Sequence, residues 1–152
     1  MSTLGYTASE VFLKIDIATT QLMEAINLFV QESFICALTL AGASEEIYAG
    51  LLKARGETPI LESSFATIEE TRESLGIQVM GGMSKKEIIK GWNHAKNRSK
   101  HHDPDEASEI EFNACDEAYW MIKRSLENAK LLSVSVPNEI DFENWVVMNV
   151  CS

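Results

Sequence analysis

A chain of 152 residues fits one domain, and at that length it can bury roughly 70% of its unfolded surface without a disulfide or a metal. Its 45% hydrophobic and 24% charged residues argue against global disorder. The net charge of −10 disfavours the surface as a whole as a partner for nucleic acid or an anionic membrane. We therefore expect a single globular domain over residues 1–152.

Cysteine usage and hydropathy bear on the compartment. Cys36, Cys115 and Cys151 have no metal-binding spacing and predict reduced thiols, with Cys36 and Cys115 as small core residues. No basic region leads into an apolar run near the start of the chain, and no stretch approaches the ~20 apolar residues that cross a bilayer. We expect a cytoplasmic protein without a membrane partner.

Two long helices are predicted in the first third of the chain. Apolar residues at three- and four-residue steps predict a helix over 12–31, which the capping-box spacing of Thr7 and Glu10 would start a turn earlier. A second helix is predicted over 33–55. Its middle, residues 41–44, is Ala-Gly-Ala-Ser, and such small side chains let another element approach closely. We expect this helix to be central.

The next segments alternate between connections and helices. Residues 56–62 predict a connection, and residues 64–75 predict a third helix. The glycine-rich segment 76–83 is interpreted as a mobile loop with a few anchoring side chains. Ser84 and Glu87 have the spacing of a capping box and predict the start of a fourth helix.

The sequence Asp-Pro-Asp-Glu at 103–106 is the strongest helix-start pattern in the chain. It ends the fourth helix near His102 and predicts a fifth over 103–132, with an apolar seam along residues 112–129. A last helix is predicted after Pro137. Because this helix has little polar face, we expect the body or a second subunit to cover it, and a homodimer through the C-terminal helix is the predicted assembly.

Glu45 is the first candidate for a functional residue. At about 100° per residue it lies on the apolar arc of the second helix, whereas Glu46 points to the opposite side. A buried carboxylate needs a hydrogen-bond partner or a proton. Two interpretations stay open: a structural carboxylate bonded to polar neighbours, or an acid, base or ligand of a site.

A basic segment over residues 84–102 is the second candidate. It carries six basic side chains against Glu87 alone, together with all three histidines. It is interpreted either as a solvated basic face or as an anion site for phosphate or a nucleic-acid backbone. The binding candidates on and beside its outward face are Lys90, His94, Arg98, His101 and His102.

Motifs for metals, cofactors and covalent catalysis are missing from the sequence. A metal site would need Glu45, His101 and either Asp116 or Glu111 to converge from three helices, so we expect no metal and no cofactor. The tryptophans are interpreted as core or interface residues: Trp92, Trp120 and Trp145.

Three stretches, residues 18–29, 39–47 and 97–103, carry a resemblance to a known group of proteins. They contain a Gln-Leu/Ala-Ile helix, a Thr-Leu-Ala helix and a Lys-His turn. Together they resemble a family of small, uncharacterised bacterial helical proteins found among environmental and mobile-element genes. The resemblance implies an all-α fold and no assigned activity.

At the level of the fold the chain is also similar to HEPN helical domains, many of which are ribonucleases. Those enzymes carry an arginine and then, after four to six residues, a histidine. Here His101 and His102 follow Arg98 after only two and three residues, which departs from that motif.

We predict an all-α bundle of five to six helices, with a HEPN-like or four-helix-bundle-like core, that binds an unknown small molecule or protein. The alternative is a hydrolase, either ribonuclease-like or metal-assisted through Glu45. Nucleic acid would bind only through the basic segment 84–102.

Overall fold

In the computed structural model, which describes residues 4–5 and 9–150, the chain forms seven α-helices and, within those ranges, no strand. This confirms the all-α prediction; the helices number one more than expected because the predicted fourth helix is divided. The Thr7 capping box lies outside the described residues. The elements are α1 Lys14–Val30, α2 Phe34–Ala54, α3 Ile60–Leu75, a 3₁₀ turn Val79–Gly82, α4 Lys85–Trp92, α5 His94–Lys100, α6 Ala114–Leu131 and α7 Glu139–Asn149.

Helix α2 is the centre of the bundle, as its small residues predict. It packs against α1, α5 and α6, while α7 lies on α1 and α3 on α6. The Ser44 hydroxyl donates to the carbonyl oxygen of Ala18 at 2.7 Å, and the Ser125 hydroxyl donates to Ser44 Oγ at 2.9 Å. These buried hydrogen bonds link α1, α2 and α6 where their small side chains let the helices approach.

A lysine of α5 fills the space above Gly42. A Cβ atom at Gly42 would lie 2.5 Å from Lys96 Cδ and 2.9 Å from Lys96 Cγ. Lys96 is only 4% exposed, and its ammonium group reaches past Gly42 to form an ion pair with the Glu46 carboxylate. The glycine therefore makes room for a side chain, and helical periodicity did not single out Lys96.

The predicted fifth helix over 103–132 is wrong in its first third. Residues 101–113 are not helical, and α6 begins at Ala114, with the Asn113 side chain accepting a hydrogen bond from a backbone N–H of the first turn at 3.0 Å. Asp103 starts only a turn. Between residues 103 and 111 five acids accompany two apolar side chains, so a helix there would have no face to bury.

The single fourth helix predicted from the sequence is two helices in the structure, α4 and α5. The capping box of Ser84 and Glu87 is confirmed, with both reciprocal hydrogen bonds formed. The helix is interrupted at Asn93, whose side-chain oxygen accepts a hydrogen bond from Arg124 of α6 at 2.8 Å. Helix α5 then ends before His101, so the last two histidines lie outside any helix.

Helix α3 begins four residues earlier than predicted, at Ile60, and shortens the expected connection over 56–62. The backbone N–H of Ile60 donates to the side-chain oxygen of Asn128 at 2.9 Å. A tertiary contact thus satisfies a first-turn donor that the local sequence leaves open. The end at Gly76 is confirmed, with a left-handed φ of 63°.

The segment 76–83 is anchored by a side chain that lies outside it. The Arg72 guanidinium donates to the carbonyl oxygen of Val79 at 2.8 and 3.0 Å and to that of Met83 at 2.9 Å. The segment contains the 3₁₀ turn, in which Met80 has a φ of 57°. The predicted loop is therefore short, structured in its middle and tied to α3.

Helix α7 is half covered. Phe142 is 1% exposed and lies against Phe29, with ring centroids 5.1 Å apart, and Trp145 contacts the same ring at 4.8 Å. On the other side Ile140 and Val147 are 57% and 62% exposed. The apolar face that the sequence shows on this helix is thus shared between α1 and solvent.

Two expectations about apolar residues need correction. Cys36 is exposed, because Ala37 and Leu38 occupy the buried positions of that turn, whereas Cys115 is half-buried against the core and Cys151 lies outside the described residues. The expectation that no stretch could cross a bilayer is the second to be corrected, because α2 is long and apolar enough to do so by length and composition. It is also the central helix of the bundle and packs against α1 and α6.

Candidate functional site

Glu45 is buried and Glu46 is exposed, as the helical periodicity predicts. The Glu45 side chain forms an ion pair with Arg124, Oε2 to Nη2, at 3.3 Å, and Arg124 is itself only 14% exposed. Arg124 Nη2 also donates to Asn93 at the junction of α4 and α5. This buried network joins α2, α6 and that junction, and it gives Glu45 the partner that a buried carboxylate requires.

Arg124 also lines a cavity of about 660 Å³ between α3, α4 and α6. That volume lies within the range of roughly 300–1,000 Å³ that small-molecule sites occupy. We call it the tryptophan cavity. It is lined by Ile60, Leu61 and Ser64 of α3, Gly91 and Trp92 of α4, and Asp116, Glu117, Trp120, Lys123, Arg124 and Glu127 of α6.

The polar groups of the tryptophan cavity are unusual in two respects. Arg124 Nε is buried and has no hydrogen-bond partner among the described residues. Burial raises the pKa of Glu117 above its ordinary value, and the adjacent Asp116 carboxylate raises it further; His94 and Arg124 act in the opposite sense without reversing it. A half-buried carboxyl group of this kind favours a proton or a positively charged neighbour.

The basic segment forms a second, more open cavity of about 460 Å³, which we call the loop cavity. It is lined by Arg98 to His102 and by residues 106–110. The Arg98 guanidinium forms an ion pair with Glu106 at 2.6 Å, each side chain being 25% exposed. The arginine charge is thus neutralised within the protein, which weakens the interpretation of this segment as an anion site.

The other basic candidates are divided between the loop cavity and the open surface. His101 and His102 line it as exposed side chains. Lys90 and His94 are exposed and line neither cavity, although His94 lies close enough to Glu117 to lower its pKa.

The structure brings Glu45 together with Arg124 rather than with the histidines. Glu45 lines neither cavity, whereas His101 lines the loop cavity. Within residues 4–5 and 9–150 there is no group of three or more His, Cys, Asp or Glu side chains that could hold a metal ion. Glu45 and His101 therefore do not form a metal site with Asp116 or Glu111.

The tryptophan cavity was missed at the level of sequence, although α6 carries a usable pattern. Its apolar seam is confirmed, with Ile122, Leu126 and Ala129 buried. Away from that seam, Trp120 stands among charged residues at three- and four-residue steps and is 58% exposed. A tryptophan on the charged face of an amphipathic helix is a better indication of a site than of a core.

Comparisons of the chain with protein-family models, curated proteins and solved structures gave no match. The resemblances noted in the sequence therefore stay predictions.

Proposed function

We propose that the protein is a ligand-binding helical module and that its site is the tryptophan cavity. The observation that carries this proposal is the combination, in one concave space, of two tryptophans, a half-buried carboxyl group with a raised pKa and a buried arginine with an unused donor. Small-molecule sites typically have apolar and aromatic walls with a few converging polar groups.

The tryptophans of the cavity are not part of the buried core, although Trp120 contacts the ring of Tyr119 with centroids 5.0 Å apart. Trp120 is 58% exposed and Trp92 is half-buried, whereas Trp145 packs into the aromatic core. An exposed tryptophan keeps a large apolar surface in water, which binding of a planar apolar group would cover. Binding of such a group would therefore cover apolar surface that the fold itself leaves exposed to solvent.

The α6 side of the cavity is preorganised for binding. Arg124 is held by Glu45 and Asn93, so its orientation is set before a ligand enters. Preorganised walls lower the entropic cost of association. The hydrolase alternative receives no comparable support, because Glu45 is occupied by Arg124 and Arg98 by Glu106.

An NMR titration with 2-naphthol, a neutral planar probe, tests the proposal. The indole N–H resonances of Trp92 and Trp120 should shift, while that of Trp145 serves as an internal reference. Trp120→Ala should weaken binding about fivefold, since aromatic contacts contribute roughly 0.5–1.5 kcal/mol. Leu131→Ala, which removes another exposed apolar side chain of α6 outside the cavity, is the matched control.

Resonances of Trp92 and Trp120 that stay fixed up to the solubility limit of 2-naphthol would contradict the proposal. So would a Trp120→Ala chain that binds as tightly as the Leu131→Ala control.

A further inference from the structure

The charges that line the tryptophan cavity are not all balanced within the protein. Arg124 is paired with Glu45, and Glu127 is 3.1 Å from the ammonium group of Lys130. Within the part of the chain that the structure describes, the lining charges left without an ion pair are those of Asp116, Glu117 and Lys123. Two of these three are carboxylates, and they are adjacent in the first turn of α6.

The cavity as a whole is negative. The lining carries three carboxylates against two basic side chains, and adding the ion-pair partners Glu45 and Lys130 keeps an excess of one negative charge, in a protein of net charge −10. A concave surface lined by one sign of charge concentrates ligands of the opposite sign. The half-buried position of Glu117 beside Asp116 strengthens this preference, because a cation near both carboxylates relieves their mutual repulsion.

The aromatic walls favour the same sign of ligand. The face of a tryptophan attracts an organic cation placed within about 6 Å of the ring. Trp120 lies one helical turn after Asp116 on α6, and Trp92 lines the same cavity from α4. Ile60 and Leu61 of α3 add apolar wall opposite the charged edge of α6.

We propose that the tryptophan cavity binds a small organic cation, an amine with an apolar or aromatic body, with its ammonium group at Asp116 and Glu117 and its body against Trp92 and Trp120. This proposal rests on the ligand-binding function above and names its ligand class. Binding of a metal cation does not compete with it, since the described residues contain no group of three or more ligating side chains.

An organic anion is the rival ligand, because Lys123 and Arg124 line the same space. The charge of Arg124 is balanced by Glu45 at 3.3 Å, and its unpartnered Nε–H can donate to a neutral acceptor as well as to an anion, so it does not select for negative charge. Lys123 then stands alone against two carboxylates. The balance of charge therefore favours the cation.

Three probes of matched shape test the sign of the ligand: 2-phenylethylamine, 2-phenylethanol and 3-phenylpropanoate. Each is titrated at neutral pH while the indole N–H resonances of Trp92 and Trp120 are followed. We expect the amine to bind about tenfold more tightly than the alcohol, a ratio that a partly desolvated cation–π contact and a carboxylate supply together. The propanoate should bind more weakly than the alcohol.

A double variant locates the effect. Asp116→Asn with Glu117→Gln should lower the ratio of amine affinity to alcohol affinity from about tenfold to about one. Asp141→Asn with Glu143→Gln, which changes the net charge equally on exposed positions of α7, should keep the preference. Its thermal midpoint and that of the Asp116/Glu117 variant show whether both chains are folded.

The outcomes separate this inference from the proposed function. If the amine and the alcohol shift the two resonances with equal affinity, or the propanoate binds most tightly, the cation class is overturned and the ligand-binding module stands. If the Asp141/Glu143 variant loses the preference as fully as the Asp116/Glu117 variant, the site assignment is overturned. If no phenyl probe and no 2-naphthol moves either resonance, both proposals fail.

Discussion

A methyl group added at Gly42 of α2 should destabilise the protein, although alanine normally favours a helix over glycine by about 0.8–1 kcal/mol. The added Cβ would lie 2.5 Å from Lys96 Cδ and 2.9 Å from Lys96 Cγ. Carbon atoms pack at about 3.5–4.0 Å, so the overlap reaches about 1 Å. Lys96 is 4% exposed and held at its end by Glu46, and it has little room to move.

Gly50 is the matched control within the same helix. A Cβ built there meets nothing within 4 Å, and the residue is exposed. Gly50→Ala should therefore raise stability by about 0.8–1 kcal/mol. Overpacking costs about 1–3 kcal/mol, so Gly42→Ala should be less stable than Gly50→Ala by about that amount.

Urea unfolding of the two variants and the wild type measures this difference directly. Each kcal/mol corresponds to roughly 2–4 °C in the thermal midpoint of a chain of this size. In a Lys96→Ala background the obstacle is gone, and Gly42→Ala should then stabilise the protein as Gly50→Ala does. Equal stabilisation by both alanines in the wild-type background would refute the reasoning that the Lys96 stem fills this space.

Three further outcomes follow from contacts already described. Arg124→Met should lower the free energy of urea unfolding by about 3 kcal/mol, because it leaves the buried Glu45 carboxylate without its partner. Adding Glu45→Gln should recover most of that loss. An Arg124→Met variant within about 1 kcal/mol of the wild type would be inconsistent with this reasoning. Burial raises the pKa of Glu46, but the hydrogen bond and charge of Lys96 outweigh it and hold the pKa below its ordinary value. Its contribution to stability is therefore present above the unfolded-state pKa and lost as the pH falls through the folded-state pKa. Glu46→Gln should reduce the loss of stability below about pH 5, and by less than about 1 kcal/mol because Glu46 is 57% exposed. An acid limb of the stability curve that is the same in the variant and the wild type would count against this. Val147→Glu on the exposed side of α7 should convert the proposed homodimer to monomers in sedimentation at little cost in stability, whereas a wild-type chain that sediments as a monomer would end that proposal. Truncation after Pro137 is a poorer test, because it also removes the buried Phe142.

Patterns that depend on neighbours in the chain predicted structure well. The burial of Glu45 and exposure of Glu46 followed from a period of 3.6 residues, and the capping box at Ser84 followed from two side chains three residues apart. The helix start predicted at Asp103 failed although its local pattern was stronger. Most of the stability of a helix in a protein comes from packing an apolar face, and residues 103–111 have only two apolar side chains to pack.

The candidate site could not be predicted from the sequence because its residues come from segments that are far apart in the chain. Asn93 and Arg124 are 31 residues apart, and Glu45 reaches Arg124 only after α2 and α6 pack against each other. Periodicity states that Glu45 is buried without naming its partner. The cavity likewise exists only once α3 lies across α6, which the hydrogen bond from Ile60 to Asn128 helps to fix.

Helix α3 has sixteen residues and none of them is buried. Its first turn is tied to the core helices by the Ile60–Asn128 hydrogen bond and by the ion pair of Glu62 with Lys53 of α2 at 2.7 Å, whereas Arg72 near its other end binds only the segment that follows α3. A helix attached in this way can separate from the bundle at a small fraction of the free energy of global unfolding. Its amide hydrogens should therefore exchange with solvent sooner than those of α2, and the α3 wall can admit a ligand while the core of α1, α2 and α6 stays closed.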